Sequence, residues 1–130
     1  MEDERDRAAK LERIARRLEE IEKLPQDWQK GCSPKPAEAL RTLYKNLERW
    51  YHYRGKMYIY PIPDDEGLVS LEWDIGDWSV TCEVNLALQG DFYALNMKTN
   101  EESFRDAVNL SENEGWFYLN GLLNGLVQKG

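Results

Sequence analysis

The chain has one histidine, His52, in the run Trp50-Tyr51-His52-Tyr53. A hydrolytic site would need it beside a nucleophile and an orienting acid. Its place at a helix end instead suits an imidazolium meeting the helix dipole. No Gly-x-Ser-x-Gly elbow occurs, and neither Cys32 nor Cys82 has neighbours that would activate a thiol. Two cysteines and one histidine fall short of a four-ligand zinc site unless carboxylates complete it. The carboxylates are therefore the remaining chemistry-bearing groups. Glu72, Asp74 and Glu83 fall on the polar phase of two alternating segments. Facing carboxylates can form an acid/base pair or hold a divalent cation. Any solvated sheet face gives the same spacing, however, and its ordinary uses are solubility and edge protection. Asp64-Asp65-Glu66-Gly67 lacks the alternating ligands and terminal Glu of a calcium loop. No cluster specifies a reaction, so the expectation is a non-enzymatic protein with no cofactor and no metal ligands.

Charge points to partners instead. Residues 1–24 carry seven Lys/Arg and eight Asp/Glu, residues 25–60 seven bases and three acids, and residues 61–130 three bases and thirteen acids. The net −7 thus hides a basic middle and a second half at −10. Such asymmetry favours a cationic partner for the acidic half. It disfavours nucleic acid as a partner, although Arg41, Lys45 and Arg49 recur every four residues as a basic stripe that could meet phosphates.

These groups must be positioned by a small fold. A chain of 130 residues fits one domain with an ordinary core. No apolar run approaches the roughly 18–20 residues of a membrane span, and the N-terminus is charged from Glu2. The chain is expected in the cytoplasm, where its two cysteines stay free.

Residues 4–24 read as a charged amphipathic helix. Leu11, Ile14, Leu18 and Ile21 are spaced by 3, 4 and 3, the narrow seam of a coiled coil. Two readings stay open: a helix packed on its own domain, or a self-association or partner seam that stands apart from a single domain over residues 25–130. Pro25 ends this helix. Ser33 and Pro34 are expected to cap and start another one, running to Tyr51, with Ala37, Leu40, Tyr44 and Leu47 on its apolar face.

From Met57 the period changes from 3.6 to 2. Met57–Ile62 reads as a strand with Pro61 near its end. Val69, Leu71, Trp73 and Ile75 alternate with polar residues, Gly76-Asp77 makes a tight turn, and Trp78, Val80, Cys82 and Val84 resume the alternation. That pattern predicts an antiparallel hairpin with one wet face. Gly90-Asp91 is expected to turn and Phe92–Met97 to form a further strand, while residues 99–110 fit either a short helix capped by Thr99 and Glu102 or an edge strand, with the edge strand favoured. Ser111-x-x-Glu114 reads as a capping box for a C-terminal helix. Gly121 and Gly125 in that helix would let it lie close to the sheet. The order implies a two-layer α+β fold: an antiparallel sheet of three to five strands, with N-terminal helices and a C-terminal helix on one face.

Leu24-Pro25-x-x-Trp28-x-x-Gly31-x-x-x-Pro36, then Tyr60-Pro61-x-Pro63, Gly67 and Leu71-Glu72-Trp73, form a further pattern. It resembles a family of small, uncharacterised bacterial proteins with a P-x-x-W-x-x-G leader, a helix and a P-x-P…G…E-W hairpin. The resemblance spans residues 24–97. It departs from the family where Glu66-Gly67 replaces a glycine pair and where the charged first helix is extra. It implies a fold and a bacterial or mobile-element origin, and no activity.

The functional expectation is a small acidic protein that binds another protein with a basic surface. Inhibitor-like roles are its concrete forms: an antitoxin, or a phage or mobile-element antagonist of a nucleic-acid enzyme. Asp64, Asp65, Glu66, Glu72, Asp74 and Glu83 would form the contact surface. A nucleic-acid-binding accessory protein using residues 35–56, and a metal-dependent enzyme using the sheet-face carboxylates, are the alternatives.

Overall fold

A computed structural model describes residues 4–29, 32 and 34–129. Its elements are α1 (Glu4–Glu22), α2 (Ala37–Trp50), β1 (Tyr58–Pro61), β2 (Gly67–Ile75), β3 (Trp78–Asn85), β4 (Gln89–Asn96), β5 (Glu102–Asn109) and α3 (Asn113–Lys129). The five strands form one open antiparallel sheet in sequence order. The α+β class is as the sequence predicts, and residues 102–109 take the strand alternative, at the edge of the sheet.

The period-2 alternation sets the register. Val69 pairs with Val84, Leu71 with Cys82, Trp73 with Val80 and Ile75 with Trp78, and all eight are buried. Gly76 adopts φ 59° in the two-residue turn, a conformation open to glycine at little cost. The apolar phase continues into Ile59 on one side and into Phe92 and Ala94 on the other. Gly90 completes it by absence, because a Cβ there would fall 2.6 Å from Cys82 Sγ. All three helices cover this face and share its core.

At the centre, Trp73 Nε1 donates to Tyr51 Oη (2.9 Å), and the Tyr51 ring meets Trp116 edge-on at 6.1 Å. Trp116 Nε1 donates to Leu110 O at 2.7 Å. These contacts join the hairpin, the end of α2, the end of β5 and α3 in one buried group.

Helix α1 belongs to the same core. Ile14, Leu18 and Ile21 are buried in it, and Leu11 packs half-buried against it. Its bases reach carbonyls left over at neighbouring element ends. Arg7 donates to Tyr51 O and Glu48 O, Lys10 to Tyr53 O and Arg54 O, and Arg17 to Ile59 O on the outer edge of β1. Of the two readings left open for this helix, these contacts match the one packed on its own domain. Its narrow stripe suffices because the long Arg and Lys stems cover the flanks of the contact.

Element starts differ from the sequence reading in three places. Helix α2 begins at Ala37, behind Pro36, whose side chain makes no cap; Ser33 lies outside the described residues. The capping box does not form at α3: Ser111 Oγ donates to Asn109 Oδ1 (2.5 Å), and the helix starts two residues later. The turn expected at Gly90-Asp91 lies instead at residues 86–88. There Asn85 Oδ1 accepts from Ala87 N and Gln89 N (both 3.0 Å), and Leu88 takes φ 60°. Asparagine competes well for such turns through its side-chain oxygen.

Truncating Leu18 to alanine should therefore cost about 2–4 kcal/mol, read as a lower urea midpoint with unchanged slope. Gly115→Ala should cost about 2–3 kcal/mol, since its Cβ would fall 1.7 Å from Asn109 O.

Candidate functional site

The face of the sheet opposite the helices is open. Reading across it, Tyr58 and Tyr60 stand on β1, Ser70, Glu72 and Asp74 on β2, and Ser79, Thr81 and Glu83 on β3. Asp91 and Tyr93 follow on β4, and Phe104 on β5. Acids thus run across the middle strands and reach β5 at Glu102, with aromatic rings on both flanks.

Four of the six acids expected from the sequence come together. Asp64, Asp65 and Glu66, in the β1–β2 loop, line a cleft of about 510 Å³ with Glu83. Asp91 lines it too, directly across the ladder from Glu83. Like charges in opposed positions are unfavourable in a sheet. Asp91 Oδ1 accepts a hydrogen bond from Ala107 N (3.0 Å), which fixes it at a bulge where Ala107 takes φ 54°. The other two acids lie apart, around a smaller hollow of about 140 Å³ bordered by Tyr58 and Tyr60. There Glu72 Oε2 accepts from Ser70 Oγ at 3.1 Å.

The acidic loop is held from beneath by Lys35. Its Nζ donates to Asp64 O (2.7 Å) and Gly67 O (2.6 Å), and the residue is 5% exposed. Burial lowers the pKa of this ammonium, and nearby Asp64, Cys32 and Asp65 oppose that shift. Asp64 Oδ1 meanwhile accepts from Glu66 N (2.9 Å) and Gly67 N (2.5 Å). The loop backbone is therefore fixed while its side chains face solvent. Neither Lys35 nor Asp91 stands out in the sequence. Lys35 reads there as one base of the basic middle, and Asp91 as a turn residue.

The remaining expected sites resolve as follows. Ile14, Leu18 and Ile21 are no free seam, because this chain's own core covers them. Arg41 Nη2 contacts Glu22 Oε1 at 2.8 Å, and Arg49 lies over the Trp50 ring at 5.6 Å. The basic stripe on α2 is thus partly engaged within the chain, with Lys45 exposed between. His52 is exposed, and its backbone N–H donates to Asn120 Oδ1 (3.0 Å). The groove beside it is lined by Trp50, Asn113, Glu114, Phe117 and Tyr118. Among the described residues, no group of three His, Cys, Asp or Glu side chains is placed to hold a metal ion. No described helix is long and apolar enough to cross a membrane.

Both cysteines are buried, and neither is in a disulfide among the described residues. Burial, then Asp91 and Glu83, push the Cys82 thiol up to about 12.

Comparison with protein-family models, with curated proteins and with solved structures finds no match to this chain.

Cys82 in the native protein should stay unmodified by iodoacetamide at about pH 8.5 and react only on unfolding. The unfolded thiol loses its proton near 9.0, while the native one keeps it to about 12. Stability should consequently fall as pH rises through that window, and a Cys82→Ser variant should lack this contribution.

Proposed function

We propose that this chain is a non-enzymatic binding protein whose open sheet face captures another protein through a basic surface. The observation that supports this reading is the placement of Asp64, Asp65, Glu66, Glu83 and Asp91 around one cleft, on a face that no helix covers. A rigid anionic surface steers cationic partners and fixes their register. The tyrosines and phenylalanine at its margins add flat apolar area at small entropic cost, as suits an interface.

The concrete form of this reading is an inhibitor: an antitoxin, or a phage or mobile-element antagonist of a nucleic-acid enzyme. Carboxylates spread over a stiff sheet imitate a phosphate backbone, and the basic groove of such an enzyme is the complementary surface. The protein would act by occupying that groove, in the cytoplasm, without making or breaking bonds.

The test uses the whole chain as bait in a lysate of its host. Wild type should retain a discrete set of basic proteins that the Asp65→Lys/Glu66→Lys/Glu83→Lys variant, which reverses three acids of that cleft, loses. An Arg41→Glu/Lys45→Glu/Arg49→Glu variant should keep that set. Identical capture by wild type and the acid-reversed variant rejects the reading. The alternative interface on α2 is checked by gel shift with DNA and RNA at about 50 mM salt, where the expected outcome is no shifted band.

A further inference from the structure

The fold leaves a basic groove in an acidic chain. It runs between α1 and the outer edge of β1, with a volume of about 220 Å³. Lys10, Arg13, Arg17 and Lys56 line it over buried Ile14 and Ile59, and no described acid does. A wider hollow of about 770 Å³ adjoins it, sharing Lys10 and Arg13 and adding Arg54, with Asp6 as its acid. Two of these bases serve the fold: Lys10 on the carbonyls of Tyr53 and Arg54, and Arg17 on that of Ile59. Arg17 also meets Glu20 at 3.1 Å. The other two do not. Among the described residues, exposed Arg13 makes no hydrogen bond or ion pair, and exposed Lys56 has only the Tyr58 ring, 4.8 Å from its Nζ. Arg13 stands three residues from Lys10 and four from Arg17, on one side of α1. Like charges at that spacing destabilise a helix. An anion held between them would reverse that sign.

We propose that this groove binds a compact phosphate-bearing molecule. The guanidinium fork of Arg13 matches two phosphate oxygens, and the ammonium of Lys56 adds a point charge. Lys10 and Arg17 are already fixed by their carbonyl partners, so their field stands in place without being ordered by the ligand. Four bases against the single carboxylate of Glu20 suit a doubly charged phosphate better than a lone carboxylate. Charge also limits the ligand's length. Tyr58 and Tyr60 close the groove on the sheet side, and beyond them Glu72 and Asp74 line the next hollow. A nucleic-acid strand leaving the groove that way meets carboxylates, and the second half of the chain, at −10, repels it further. A small molecule avoids both. Its phosphate sits among the bases, and its remainder extends into the wider hollow toward Arg54. This site is separate from the acidic cleft and does not rest on the role proposed for it.

The test is isothermal titration of the full chain with inorganic pyrophosphate at about 50 mM salt. Wild type should bind with a Kd below about 1 mM. Relative to chloride at equal ionic strength, about 10 mM pyrophosphate should raise its Tm by about 3–5 °C. Arg13→Ala/Lys56→Ala should weaken binding at least about tenfold, while the Tm of the free chain stays within about 2 °C, because neither side chain holds the fold. Arg41→Ala/Lys45→Ala removes the same charge from α2 and should bind like wild type. An oligothymidylate of about ten nucleotides should bind more weakly than pyrophosphate. Failure of pyrophosphate to bind wild type overturns the proposal. So does equal weakening in the two charge-matched variants, since the ion would then answer to net charge and not to this groove. Tighter binding of the oligothymidylate also overturns it, by making the groove a track for a strand.

Discussion

The hydrogen bond from Trp73 Nε1 to Tyr51 Oη is where the layers of this protein meet. Trp73 lies at the middle of the central hairpin, and Tyr51 closes α2. Both side chains are buried, so each polar atom needs a partner inside the core. Each supplies the other's. Tyr51 also leans on Trp116, whose indole finds its own acceptor at Leu110 O. Three large aromatic residues thereby fix the height and rotation of two helices over the sheet. The open face is a consequence: once the helices are committed to one side, the polar phase of the same strands has to face water.

That division also explains the placement of charge. Four bases in the first half of the chain are used at its seams. Arg7, Lys10, Arg17 and Lys35 all donate to backbone carbonyls of segments that follow them in sequence. Their aliphatic stems pack while their heads meet acceptors that no ladder or helix satisfies. The acids of the second half find fewer such partners and gather on the outer face. A net balance by segment therefore describes two different physical roles: internal clamps, and a solvated surface.

The two edges of the sheet are treated differently. Edge β1 has Arg17 on its carbonyl at Ile59. Edge β5 is interrupted by the bulge at Ala107 and by Arg105, which donates to its own neighbour's carbonyl and to Tyr118 Oη. Bulges and charges of this kind discourage an added strand. Association through strand addition is thereby disfavoured, which leaves faces and not edges as the surfaces open to protein partners.

Much of this was legible in the sequence. Strict alternation over residues 69–84 fixes the hairpin, because a slip of one residue would turn every apolar side chain to water. The Gly76-Asp77 turn, the change of period at Met57 and the wet position of Glu72, Asp74 and Glu83 follow from local patterns alone. What the linear pattern leaves open is the use of each apolar face. The stripe of α1 serves a coiled coil and a domain core equally well, and only its contacts with α2 and β1 decide for the core. Asp91 joins Glu83 through a pairing between strands, which neighbours in sequence do not encode. Lys35 becomes a buried pin for the same reason, and Gly121 and Gly125, expected to bring α3 close to the sheet, face open space, where an added Cβ would meet no atom within 4 Å. Local residue preferences determine which segments are helix and strand, whereas the meeting of distant surfaces determines which side chains are hidden, clamped or left for others to touch.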